Sequence, residues 1–480
     1  MTTPRQRSYT GCWSCRRRRR KCDGARPSCR NCERRGVPCE GYEVRLRWGA
    51  GIASRGHFAG AEKPVLGPVE SSPSPRAPVE PGSSETRPVQ QPTTVITPGQ
   101  ESTEAQASEL LQKFFDSGHH ILLSVRESRD VFKTMAVLWC QESKACAAVC
   151  VALQTLLEPE LLVRFEEYFD IALQRFRAEM ARTAVLSQGT LAAGNLLCTV
   201  SFFHGKPWTF HVHGLYKHLT HSPPSSSILH SPDPACHSLI GALGIMDLPP
   251  FIAGRRSPPM HIWYHHCRGT SRTWLGPTTT NTSTSSTGGI EPITGLPRSL
   301  IDLFSCIGFS PDQDVESGFW SWPGEEGSAA QVQLWEAYRF AGVLAIRRHW
   351  HSHHLDLGLD GSGIGNESSS NEAVTSRIVG AIDALNLAAP DMDEDDEEVF
   401  NAIRYPLVIA GSDPDVMRAH PEWKGLIEGT LRTLVEEDPY AQCELTFDVL
   451  SEVWSLWEQG KDIGVEEVAV ERGFELFLVS

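Results

Sequence analysis

The chain has 480 residues, with 44 Lys and Arg against 59 Asp and Glu, a net charge of −15 and a pI near 5.6. Such a length exceeds one compact core, so at least two folded units, or one unit with long linkers, are expected. An acidic balance of this size excludes nonspecific nucleic-acid binding by the whole surface. The average hides an asymmetry: residues 1–48 carry 14 Lys and Arg against 4 acids, near +10, which leaves near −25 for the remainder. One small basic end on an acidic body points to a local nucleic-acid contact. The start, MTTPRQRSYT, is polar and basic and does not read as a secretory signal. The longest mainly apolar run, residues 145–157, falls short of the roughly 18 residues needed to span a bilayer. The expectation is an intracellular protein with reduced thiols and no membrane association, in which clustered cysteines favour metal over disulfide.

Six of the 14 cysteines lie in one short segment, spaced Cys12-x2-Cys15-x6-Cys22-x6-Cys29-x2-Cys32-x6-Cys39, so that the unit C-x2-C-x6-C occurs twice. The x2 spacing lets two thiolates from one tight turn reach the same ion, and the third cysteine is expected back after about two helical turns. Two tetrahedral zinc ions need eight ligand positions, and six thiolates supply them if two bridge. A single four-cysteine zinc would leave two equivalent cysteines unused. So short a segment holds few apolar side chains, and metal ligation has to supply its folding free energy. With all positions filled by sulfur the metal is structural. The competing reading, a redox or metallothionein-like thiol cluster, fits poorly with the accompanying positive charge. Between the second and third cysteines runs Arg16-Arg17-Arg18-Arg19-Arg20-Lys21. Six adjacent cations repel one another, and a thiolate-rich cluster together with DNA phosphates offsets that repulsion. Arginine also hydrogen-bonds guanine O6 and N7 in the major groove. A nuclear-localisation patch explains the same run, and both roles are compatible.

The segment GCWSCRRRRRKCDGARPSCRNCERRGVPCEGY resembles the fungal Zn2Cys6 binuclear-cluster family of transcription factors, with all six cysteines, the basic run and the loop proline present. The resemblance implies a small domain of two short helices around two Zn ions, with Cys12 and Cys29 bridging both. It places Arg18 and Arg19 where the family reads a CGG triplet, although the family commonly has lysine there. Arg16 and Lys21 fall where it touches phosphate, and Pro27 where it turns the loop between repeats, often through a cis peptide. Arg34 and Arg35 are further phosphate candidates, with a solvated surface as the alternative. The implied activity is sequence-specific binding of double-stranded DNA by a nuclear transcription factor of the RNA polymerase II type.

After the cluster (residues 11–42), residues 43–107 are predicted to be a disordered linker; from about Gly49 it is rich in Pro, Ser, Gly and Thr and buries too little to offset its ordering entropy. Residues 108–480 carry apolar residues at three- and four-residue spacing over 108–125, 131–157, 160–181, 190–203, 298–306 and 331–349. Further helical patterns cover 374–385, 397–409, 423–437 and 441–459, with loops or insertions at 222–235, 277–289 and 358–371. Alternating strand patterns are almost missing, so this unit is expected to be all-α. It resembles, more weakly, the α-helical regulatory domain of fungal-specific transcription factors. The resemblance rests on residues 190–219, on RYPLVIAGSD with Tyr405 in place of the family's tryptophan, and on the closing DVLSEVWSLWEQG.

Other patches read two ways. His211 and His213, the run His261-Ile-Trp-Tyr-His265-His266-Cys267, and His349-Trp-His351-Ser-His353-His354 have metal-ligand chemistry, yet histidines near helix ends are more often solvated or capping. The acidic run at 391–398 reads as a helix N-terminus in preference to an activation surface. Trp320 and Trp322 read as core. The eight scattered cysteines read as small buried hydrophobes. No nucleophile–base–acid set, phosphate loop or dinucleotide fingerprint stands out, so no enzymatic activity is expected. Turnover by the helical body would favour an enzyme, and ligand-induced stabilisation without turnover a small-molecule sensor. Heptads are missing between residues 43 and 105, which leaves binding as a monomer or as a homodimer paired through the helical body.

Overall fold

The computed structural model describes residues 14, 22–23, 25, 29–35, 37 and 39, and then 98–182, 185–223, 228–269, 289–356, 370–389, 402–437 and 441–479, with only the backbone at 98–103 and 350–356. The chain divides into two units, 1–92 and 93–480.

In the first unit the described residues include the short helix α1 (Arg30–Glu33). In the second, helices α2 (Pro98–Asp116), α3 (Arg129–Glu142), α4 (Lys144–Leu156), α5 (Phe165–Arg182) and α6 (Gln188–Phe203) come first. Helix α4 lies at the centre of this group and packs against the other four. Helices α7 (Thr209–His221), α8 (Pro234–Ile245), α9 (Ile262–His266), α10 (Arg298–Cys306) and α11 (Asp312–Ser321) follow. The long α12 (Ala329–Asp356) packs against α11, α13 (Asn371–Ala388) and α14 (Arg404–Ala410). Helices α15 (Pro414–Ala419), α16 (Pro421–Glu437), α17 (Ala441–Glu458) and α18 (Val465–Arg472) complete the unit. Strands β1 (Ile252–Ala253) and β2 (Leu476–Phe477) pair antiparallel, Ile252 with Phe477 and Ala253 with Leu476. Among the described residues no helix is long and apolar enough to cross a membrane.

The helical body agrees with the periodicity, and four differences have physical causes. Helix α2 begins at Pro98, inside the segment expected to be linker. Proline suits a first helical turn, and Glu, Ala and Gln continue it well. Gln106 then accepts hydrogen bonds from Arg164 and from the Tyr168 hydroxyl, which ties this turn to α5. Residues 43–97 lie outside the described residues. The pattern over 131–157 is two helices, because Ser143 leaves helical geometry (φ −126°, ψ 117°) and its Oγ accepts the Cys146 N–H at 3.0 Å. Helix α8 lies outside the periodic segments, since its residues are apolar on nearly every face and erase the 3.6-residue period. The strand pair gives the otherwise all-α body two residues of sheet on each side.

One continuous core runs from Leu110 to Val479. Its centre is an aromatic cluster in which Phe251 meets Phe304 at 4.9 Å and Tyr405 at 5.0 Å, while Tyr405 stacks on Tyr338 at 5.4 Å. Trp322 is buried and Trp320 packs against the core, as expected. Near the C-terminus, the buried Glu475 accepts hydrogen bonds from the backbone N–H groups of Trp208 (2.6 Å), Thr209 (3.0 Å) and Arg256 (2.6 Å). The Trp208 and Thr209 N–H groups share Oε2, while the Arg256 N–H reaches Oε1, to which the Thr209 hydroxyl also donates at 2.5 Å. Gly254, at φ 74°, lets the chain pass close to the Phe474 carbonyl, where a Cβ would collide.

Capping supplies smaller contributions. Ser187 Oγ accepts the Thr190 N–H at 3.1 Å at the start of α6. Ser187→Ala is expected to cost about 1 kcal/mol, read as a lower urea midpoint with an unchanged denaturant slope.

Candidate metal centre and nucleic-acid interface

The N-terminal module has almost no hydrocarbon to bury. Among its described residues the core consists of Cys29 and Cys32, packed by Cys22, Cys39 and Val37. Cys29 is fully buried and Cys32 nearly so. A core built of thiols has little hydrophobic driving force, and uncompensated thiolates would repel one another, so the arrangement calls for cations.

The second repeat shows how the spacing works. Cys29 is extended (φ −81°, ψ 139°) and caps α1, its Sγ accepting the Cys32 N–H at 3.3 Å. The helix lasts one turn. The Val37 N–H then bonds the Cys32 carbonyl at 3.1 Å, and the chain returns so that Cys39 Sγ accepts the Cys29 N–H at 3.4 Å. The expected two helical turns between the second and third cysteines are here one turn and a reversal. The ligand atoms of Cys29, Cys32 and Cys39 lie within 4.8 Å of one another, and so do those of Cys22, Asp23 and Cys29. Cys29 is common to both groups. The donor set is soft and thiolate-rich, which fits zinc.

Asp23 is a residue that sequence reasoning missed. Its Oδ2 accepts the Arg30 N–H at 3.2 Å and so joins the end of the first repeat to the start of α1. Desolvation acts to raise its pKa, but hydrogen bonds from the backbone at Asp23, Arg30 and Asn31, with the Arg30 charge, bring it below the ordinary carboxylate range. An acid beside a ligand cysteine is its only sequence signal. Arg30, Arg34 and Arg35 are exposed on α1 and just beyond it, as phosphate contacts require. Cys12, Cys15, Arg16, Arg18, Arg19, Lys21 and Pro27 lie outside the described residues.

The histidine patches of the body are used in packing. His211 is half-buried and burial, then the Arg177 charge, pushes it down to about 4, which keeps the ring neutral. His261 takes a left-handed conformation (φ 52°) against Phe309, and His266 Nε2 pairs with the Tyr216 hydroxyl at 2.9 Å. His349 faces Asp312 at 3.6 Å. Among the described residues none of these histidines joins a group of three ligand atoms close enough to share an ion. The side chains of residues 351–354, and the acidic run at 391–398, lie outside the described residues.

Residues 10–49 match the Fungal Zn(2)-Cys(6) binuclear cluster domain, and residues 109–308 match the Fungal specific transcription factor domain. The chain thus carries a fungal Zn(2)-Cys(6) binuclear cluster domain and a fungal specific transcription factor domain. Its similarity to individual proteins is confined to short stretches. It is 50% identical over 44 residues to the Arginine metabolism regulation protein II of Saccharomyces cerevisiae, covering 9% of this chain and 5% of that one. It is 54% identical over 43 residues to the ustiloxin B cluster transcription factor ustR of Aspergillus flavus, 9% of this chain and 7% of the relative. With the Zn(2)-C6 fungal-type transcription factor afumD of Aspergillus fumigatus it shares 43% over 74 residues, 14% and 16% of the two chains. The matched stretch thus spans a small fraction of each relative's length. No solved structure matches the chain. The Zn2Cys6 domain makes this a zinc-binding chain, and the close grouping of Cys22, Cys29, Cys32 and Cys39 agrees with that.

Proposed function

We propose that the protein is a nuclear, sequence-specific transcription factor of the RNA polymerase II type, whose N-terminal cluster holds two zinc ions and reads CGG-like triplets in duplex DNA. The observation that carries this reading is the place of Cys29 Sγ in two ligand groups at once, as a bridging thiolate requires. Cys12 takes the equivalent place in the first repeat, and Cys15, Cys22, Cys32 and Cys39 are terminal ligands. Bound zinc supplies the folding free energy that the module's apolar side chains lack. Arg18 and Arg19 donate to base edges, while Arg16, Lys21, Arg34 and Arg35 contact phosphate and set register. The helical body serves regulation: pairing with a second copy, and response to a small-molecule effector or co-regulator.

Selection of random duplex DNA by the full zinc-loaded chain, with and without a chelator, tests this. Enrichment of CGG-containing sites that disappears with the chelator is expected. Zinc bound with no sequence enriched would overturn the DNA-reading assignment. Within the cluster, Arg19→Ala is expected to lose about 1–3 kcal/mol of discrimination between CGG and scrambled sites. Arg35→Ala should weaken both alike and flatten the salt dependence of log K by about one unit. Equal losses on both sites for both variants would sink the division into reading and positioning residues.

A further inference from the structure

The helical body contains a second cysteine cluster, made by three residues too far apart in the sequence to form a recognised motif. Cys140 lies in the last turn of α3, while Cys146 and Cys150 lie one turn apart on α4. The sharp junction at Ser143 folds α3 back so that Cys140 Sγ lies 3.8 Å from Cys146 Sγ and 3.7 Å from Cys150 Sγ, and all three sulfurs fall within 4.8 Å of one another. Three sulfurs each about 2.3 Å from one ion in a plane would be about 4 Å apart, so the observed spacing needs little adjustment.

The junction is held rigidly. Ser143 Oγ donates to Glu179 Oε2 at 2.7 Å, and the Ala145 N–H donates to Glu179 Oε1 at 2.9 Å, which pins the start of α4 to α5. Cys146 and Cys150 are fully buried, and Cys140 is half-buried, giving the cluster one open side. Hydrogen bonding with Cys146, then with Cys150, holds the Cys140 thiol down to about 5 against its desolvation. The other two thiols are pushed up, Cys146 first through its bond to Cys140 and Cys150 first through burial, with Glu179 also opposing charge on Cys146.

We propose that Cys140, Cys146 and Cys150 form a trithiolate site for a cuprous ion. The group contains sulfur alone, with no nitrogen or oxygen ligand. Soft thiolates select Cu(I), whereas zinc takes four ligands and lacks a fourth in this group. Binding displaces thiol protons and leaves the oxidation state of copper unchanged.

The test uses the full zinc-loaded chain, titrated with Cu(I) buffered by bathocuproine disulfonate, with copper and zinc per chain measured after desalting. The wild type is expected to take up one more Cu(I) than Cys140→Ser or Cys150→Ala while its zinc content stays constant, and its copper X-ray absorption should report three sulfur neighbours. Copper should raise the melting temperature of the wild type and leave that of Cys140→Ser unmoved. Should Cys150→Ala fail to fold by circular dichroism, the half-buried Cys140→Ser decides. Equal copper uptake by wild type and Cys140→Ser, or uptake matched by loss of zinc from the N-terminal cluster, would overturn the site. An additional zinc that depends on Cys140 and resists copper would overturn the cuprous assignment.

Discussion

Cys29→Ser is expected to abolish specific DNA binding while leaving the helical body folded. Cys29 is the buried centre of the described part of the module: its sulfur belongs to both ligand groups and caps α1. If Cys29 bridges two ions as proposed, a serine oxygen is a poor replacement for it, and neither ion would be properly held. Structural zinc contributes about 10–16 kcal/mol in comparable small modules, far more than a sulfur-and-valine core can replace. Zinc per chain should fall below half the wild-type value, and affinity for a CGG-containing duplex by at least about 100-fold, toward the nonspecific level. Cys39→Ser, which removes a ligand from one group only, should retain more zinc. Metal analysis and fluorescence anisotropy on the two variants check this. Normal zinc content with intact binding in Cys29→Ser would show that this sulfur does not hold two ions.

Glu475→Ala should be among the most destabilising single changes in the helical body. The side chain is almost fully buried and receives three backbone N–H groups and one hydroxyl from segments more than 200 residues away. Each buried donor left without an acceptor costs about 1–3 kcal/mol, and partial entry of water relieves some of that, so a loss of about 3–5 kcal/mol is expected. Glu475→Gln keeps one acceptor oxygen but turns an amide N–H2 toward donors, and should fall between wild type and alanine. Urea unfolding followed by circular dichroism gives the comparison. A loss below about 1 kcal/mol for the alanine variant would mean that the three N–H groups find other partners.

What the sequence made legible follows from how local each signal is. The cluster domain could be read because metal ligation by cysteines needs fixed short spacings, and the helices because a half-buried face repeats every three or four residues. Helix α8 has too little polar face for the same rule to pick it out. Ser143 looks like any polar residue in a helical pattern, and only its geometry shows that it ends one helix and starts the next. Asp23 acts through a hydrogen bond to Arg30, seven residues on, which composition does not announce. Cys146 and Cys150 have the spacing of neighbours on a helix face, but Cys140 reaches them only through the reversal at Ser143. The scattered cysteines therefore read as small apolar residues. The two-residue strands are too short to produce any alternation, and their pairing depends wholly on how the helices between them pack.

That pairing also sets a timetable. The stretch matching the regulatory-domain family ends at residue 308, whereas Trp208 and Phe251 within it rest against Phe477 and Tyr405 beyond it. Glu475 meets Thr209 across 266 residues. At about 5–20 residues per second, the acceptor for the Thr209 N–H is synthesised roughly 13 to 53 s after its donor. During that interval a nascent chain carries an open strand edge and an uncovered tryptophan, the kind of surface that chaperones recognise. Closure of the body is thereby tied to the last part of its translation, and ribosomes stalled between residues 310 and 470 would hold it in a protease-sensitive form.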